Sequence, residues 1–233
     1  MKTIGFIGIY DKTDIMLYTA KLLTILNRKT LIIDSSIMQK AKYVIPTINP
    51  THSYITEFER IDIAVGFSSM EELRSYLGIG IQDDLGYDIV LIDIDTAEGV
   101  SNFEMHLASN NFFVTAFDAY SLKRGLEILS GLEISVAMTK LLVSKKTVKE
   151  DNQYLDYLSK NYKIRWNDRI INYSITESTV QGIIDNQRAQ KIKFKNIGQE
   201  FVELISTIIE IIVPEITIND IVKAIKTIDK GGY

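Results

Sequence analysis

Runs of consecutive apolar residues alternate along the chain with stretches in which apolar residues return every three or four positions. The runs at 3–9, 30–33, 88–94, 112–116 and 134–139 predict five strands. Their unbroken apolarity predicts strands covered on both faces, as in a parallel sheet. Between the first two, Ile15, Tyr18, Leu22, Leu23 and Leu26 share one stripe and predict a helix over 13–26. Ser69-Met-Glu-Glu72, Thr147-Val-Lys-Glu150 and Asn196-Ile-Gly-Gln199 read as capping boxes or variants of one. A last long helix is expected over 197–212, stopped by Pro214. Segment 35–67 is interrupted by Pro46 and Pro50, and within it 54–65 reads as an edge strand with its approach. This order predicts an α/β domain over 1–213, a doubly wound, mostly parallel sheet with helices on both faces. A tail over 214–233 follows, with Ile218, Ile221, Val222, Ile225 and Ile228 on one stripe of a short amphipathic helix.

Composition narrows the chemistry. The 233 residues include no cysteine and only two histidines, His52 and His106. Disulfides, thiolate ligands and cysteine nucleophiles are therefore excluded, and two histidines argue against a multi-histidine metal centre. No apolar run approaches the roughly 20 residues of a membrane span, and Met1-Lys2 leads directly into a strand-like segment, so a cytoplasmic protein is expected. The net charge of −4 hides a split. Residues 140–195 carry 12 Lys/Arg against 6 Asp/Glu, and the remainder carries 14 against 24. Lys145, Lys146, Lys149, Lys163, Arg165, Arg169, Arg188, Lys191, Lys193 and Lys195 make this stretch a candidate surface for a partner or for nucleic acid.

In open parallel sheets ligands sit beyond the carboxyl ends of the strands, so the turn after the first strand matters most. It reads Gly8-Ile-Tyr-Asp-Lys12-Thr13-Asp14. A Lys-Thr pair opening a helix after a strand suits a phosphate loop. The lysine supplies charge, the hydroxyl a magnesium ligand and the helix N-terminus a positive dipole end. Lys12 also reads as a solvated first-turn side chain and Thr13 as a helix cap.

The wider pattern resembles the ParA/MinD superfamily of deviant-Walker ATPases, including its TadZ/CpaE-like pilus-assembly branch. Those proteins open with an apolar strand, a Lys-Gly-Gly-x-Gly-Lys-Thr loop, a helix and a strand ending in Asp. Lys12-Thr13 matches the end of that loop, Lys29-Thr-Leu-Ile-Ile-Asp34 the second strand, and Tyr87-Asp-Ile-Val-Leu-Ile-Asp93 the Walker B strand. Asp95 is as well placed as Asp93. The resemblance implies a P-loop NTPase-like fold and a cofactor site of Gly8, Asp11, Lys12, Thr13, Asp14, Asp34 and Asp93. Thr13, Asp34 and Asp93 would hold the magnesium of bound ATP or ADP.

The departures imply a damaged site. The signature lysine falls on Ile7, two loop glycines fall on Ile9 and Asp11, and the catalytic aspartate falls on Ser36. The adenine-reading asparagine after the fifth strand falls on Thr139. Asp11 sets a negative charge where phosphate would sit. At about 4 Å and an effective dielectric of about 20, like charges repel by roughly 4 kcal/mol. Asp11 is also placed to pair with Lys12. The expectation is a dimeric positioning or assembly scaffold with weak or absent ATP hydrolysis, serving a positioning, secretion or pilus apparatus. The alternatives are a partition ATPase binding nonspecific DNA through 140–195, and a membrane-associated ATPase using the C-terminal helix.

Overall fold

The computed structural model describes residues 1–46, 52–80, 83–144 and 149–231. One eight-stranded sheet organises them, in the order β3-β4-β2-β5-β1-β6-β7-β8. The strands are β1 (Lys2–Ile7), β2 (Thr30–Asp34), β3 (Tyr54–Phe58), β4 (Ile61–Val65), β5 (Ile89–Ile94), β6 (Asn110–Ala116), β7 (Val136–Ser144) and β8 (Ile164–Ser174). All neighbours run parallel except β3 against β4. The doubly wound, mostly parallel α/β fold is thus as expected.

The continuous apolar runs divide cleanly between two layers. On one side Ile4, Phe6, Ile32, Leu91, Phe112 and Val114 pack under α1 (Thr13–Ile25), α8 (Gln199–Ile212) and α9 (Ile218–Asp229). On the other, Ile7, Ile33, Val90, Ile92 and Phe113 pack under α3 (Met70–Leu77), α4 (Ala97–Asn102), α5 (Ala119–Ser130) and α6 (Lys149–Ser159). Two further α-helices, α2 (Ala41–Val44) and α7 (Glu177–Ala189), and a 3-10 turn at Met105–Leu107 complete the helices among the described residues. Helix α1 is buried along most of its length, and Tyr18 on it meets Phe194 and Phe201 edge-on.

Several local expectations are corrected. Segment 54–65 is a hairpin rather than one edge strand. Glu59 and Arg60 turn it with φ of 55° and 67°, and the buried Lys21 ammonium ties the turn to α1 by binding both the carboxylate and the carbonyl of Glu59. Asn196 caps nothing. Its φ is 69°, and α8 begins instead from Gly198. Ser69 does cap α3 by accepting from the Glu72 N–H, whereas Thr147 lies outside the described residues. The fifth predicted strand runs on to Ser144, so Thr139 sits buried within β7 and accepts from the Asn167 side chain at 2.9 Å, rather than standing at the strand's end.

Strand β8 falls in the basic stretch. It is an edge strand whose outward positions carry Arg165, Asp168 and Arg169, and charge on an edge discourages pairing with another chain. In the tail, Thr217 and Asp220 form a reciprocal capping box and start α9. Ile221, Ala224 and Ile228 are buried, while Ile218 and Val222 face solvent. Among the described residues no helix is long and apolar enough to cross a membrane. Ile221→Ala is expected to cost about 2–5 kcal/mol, read as a lowered urea midpoint at unchanged slope. A change within about 0.5 kcal/mol would mean that α9 is not an integral part of the fold.

Candidate functional site

The sheet reverses its winding between β1 and β5, where ligand sites of open sheets form. Register brings the candidate residues together there. Asp93 pairs across with Phe6 on one side and with Asp34 on the other. The chain leaves β1 through Gly8, whose N–H donates to the Ile94 carbonyl at 2.9 Å. Gly8 has φ +132°, and a Cβ there would meet the Val114 carbonyl oxygen at 2.2 Å. Only glycine fits this exit. Ile7, at the signature-lysine position, is the last residue of β1 and wholly buried.

Lys12 is turned inward. Its ammonium lies 2.9 Å from the Asp93 carboxylate and donates to the carbonyls of Gly8 and, at 3.1 Å, Tyr10. Both side chains are buried, with Lys12 3% exposed. Asp11 pairs with Lys40 and not with Lys12, correcting the sequence-based expectation. Asp11 Oδ1 also accepts the Thr13 N–H at 3.1 Å, which places a carboxylate at the N-terminus of α1. Burial disfavours the charge on Asp11, but Lys40 and the Thr13 donors outweigh it and hold the carboxyl below its usual range.

The other acids are also engaged. Asp34 accepts the Ser36 N–H at 3.1 Å and the Ser36 hydroxyl at 2.6 Å on one oxygen, and the Ala41 N–H at 2.9 Å on the other. Asp95 accepts the Ile37 N–H on both oxygens at 3.0 Å. Asp14 accepts from the Gln187 amide at 3.0 Å. Burial pushes the Asp93 carboxyl up to about 7, with Lys12 opposing and Asp34 adding to the rise. Burial raises Asp95 as well.

These residues do not fit a magnesium nucleotide as they stand. The loop lysine is ion-paired, the first N–H of the helix is capped and Asp34 already accepts three hydrogen bonds from backbone and serine donors. Among the described residues no group of three His, Cys, Asp or Glu side chains is placed to hold a metal ion. A cavity of about 180 Å³ remains over the loop, bordered by Ile9, Lys12, Ser36, Tyr43 and Asp95.

The basic candidates are scattered by comparison. Lys145 and Lys146 lie outside the described residues, and Lys149 opens α6. Lys163 donates to the Glu133 carbonyl, and Arg169 pairs with Glu210. Arg165 is on the β8 edge; Arg188 is in the last turn of α7, and Lys191, Lys193 and Lys195 follow it, in a segment held to α9 where the Phe194 and Lys195 N–H groups donate to Asp229. Lys40, Ser36 and Gln187 complete the site but were not singled out as binding groups from sequence. Nothing in the local pattern of Lys40 or Gln187 marks them, because only the fold brings them to the loop. Trp166 is a packing residue, 5.7 Å from Phe113 and donating to Ser159.

No family model matches the chain, and no curated relative matches it. Solved structures do match its fold. A ParA family ATPase from Chlorobium tepidum superposes with a TM-score of 0.55 at 13% identity, over 88% of this chain and 97% of that one. An ATP complex of McdA from Cyanothece gives 0.53 at 13% identity over 91% and 96%. The MinD cell division protein of Aquifex aeolicus gives 0.50 at 13% over 100% and 98%. The chain therefore has the ParA/MinD fold.

Because the folded-state value of Asp93 lies above the ordinary carboxylate value, its contribution to stability is complete below about pH 4 and is lost as pH rises through about 7. Asp93→Asn should remove that part of the fall in stability across this window. Carbon-13 NMR of the carboxyl groups should find Asp93 titrating near 7 in the native protein, and higher in Lys12→Met, which lacks the opposing charge. A midpoint near 4 in both proteins would refute the buried pair.

Proposed function

We propose that this chain is a degenerate relative of the ParA and MinD ATPases, acting as a dimeric positioning or assembly scaffold in the cytoplasm without efficient ATP hydrolysis. One observation carries the reading: the loop's lysine and the N-terminus of its helix are engaged by the chain's own carboxylates. Asp11 occupies the helix N-terminus, where a phosphate would be held, and Asp93 holds the lysine that would reach the terminal phosphates. Ile7 supports it, since a buried strand residue cannot replace a lysine that crosses to another subunit. McdA was solved with ATP in the same fold. For this chain to bind ATP or ADP with magnesium, Lys12 would have to leave Asp93 and the phosphates would have to lie beside Asp11 and Asp14. A protein of a positioning, secretion or pilus apparatus, as in the TadZ-like branch, is the partner this reading implies.

The two alternatives ask for more rearrangement. A partition ATPase would need the loop emptied of its internal ion pairs, and its DNA would meet Arg169 already paired with Glu210. A membrane-seated α9 would have to withdraw Ile221, Ala224 and Ile228 from the core.

Calorimetric titration with ATP and magnesium is expected to show no saturable binding at micromolar concentrations, and phosphate release should stay at the blank rate. Tight binding with phosphate release, both lost in Lys12→Ala, would overturn the scaffold reading. Sedimentation equilibrium should find a dimer whether or not nucleotide is present, whereas a monomer at high concentration would remove the dimer from the proposal.

A further inference from the structure

Beyond the loop, on the side away from Asp93, the crevice opens into a second cavity of about 240 Å³. The start of α1, the end of β8 and α7 enclose it, with Tyr10, Asp14, Tyr173, Val180, Ile183 and Gln187 among its walls. Its volume is below the roughly 300–1,000 Å³ of drug-sized sites, so any ligand is small. Its charge is unbalanced. Asp11, Asp14 and Lys40 all face it, and the Lys40 ammonium is taken by Asp11. Asp14 has the Gln187 amide as a donor, and among the described residues it forms no ion pair. Burial and the nearby Asp11 push its carboxyl up, against the pull of the Gln187 amide and of Lys40. Burial and these two acids also push the Tyr10 phenol up to about 12, so it remains neutral.

Three ligand chemistries can be weighed. A phosphate or carboxylate would enter a cavity that already carries excess negative charge. A neutral apolar molecule would fit the Val180 and Ile183 wall but leave Asp14 desolvated and unpaired, which is costly. An organic cation satisfies both ends, because it pairs with Asp14 while its body lies among aliphatic and tyrosine side chains, which attract cations through their ring faces.

We propose that this cavity binds a small organic ammonium ion, a primary amine on an aromatic or apolar body, with its charged end on Asp14. The proposal rests on the reading that the loop holds no nucleotide, since phosphates there would adjoin the same carboxylate. Asp14 is thereby the residue that sets the sign of ligand charge, and Val180 and Ile183 set its bulk.

Amide NMR of the full chain, titrated with tyramine and separately with 3-(4-hydroxyphenyl)propionate, provides the test. Tyramine should produce saturable shifts at Asp14, Ile175, Val180 and Gln187, and the carboxylate analogue of matching body should not. Asp14→Asn should weaken tyramine at least about tenfold, the loss expected for a partly desolvated ion pair. Val180→Trp, at an exposed position that tolerates bulk, should fill the cavity and abolish binding with little change in melting temperature. Equal binding of acid and amine, tyramine binding indifferent to both variants, or no saturable shift would overturn the proposal. Adding ATP with magnesium separates the two readings. ATP binding overturns the scaffold reading whatever tyramine does, and failure of tyramine alone overturns only the amine site.

Discussion

Three carboxylates, Asp34, Asp93 and Asp95, emerge side by side from the central strands, and one buried ammonium, that of Lys12, stands among them. Parallel register makes this unavoidable, because it sets Asp93 between Phe6 and Asp34 at the ends of three neighbouring strands. Two of the acids are compensated by backbone N–H groups and Ser36. Asp93 depends on Lys12. Removing one member of a buried pair is commonly more harmful than the pair is beneficial, since a charge is left without water or partner. The path of the loop from Gly8 back to Lys12 is therefore fixed by an internal electrostatic need, with burial pushing Asp93 up and Lys12 opposing it.

The same constraint explains why the loop needs few glycines. A loop that must wrap a polyanion needs bare backbone amides and space. A loop that folds around its own lysine needs only the one glycine that passes the Val114 carbonyl. Once Asp11 has capped α1 and engaged Lys40, the positive end of the helix is satisfied from within. Such a loop is a structural joint between β1, β2 and β5.

Much of the fold was legible because continuous apolar runs have a single good solution, strands covered on both sides. The boundaries of α1, β2 and β5 followed from that, and the gathering of Lys12, Asp34 and Asp93 from the resemblance to the ParA/MinD proteins. What escaped was decided by tertiary contact. The Glu59-Arg60 turn has no turn-forming dipeptide and is held by Lys21 from a distant helix. Strand β8 alternates weakly and is rich in charge, as an edge strand can be, so its residues read as a basic surface. Asp11 was placed correctly in the loop, yet its partner could not be read, since Lys40 reaches it only across the fold.

Helix α9 lies against α1, and the Lys2 ammonium donates to the Ile212 carbonyl at 2.8 Å. Strand β1 and helix α1 are thus completed by helices far along the chain. Until Ile221, Ala224 and Ile228 arrive, the apolar flank of α1 that they cover lacks its final layer. Contacts of such long sequence separation close late. This face of the sheet closes only when segments far apart in sequence meet, and until then its apolar flank is open to water.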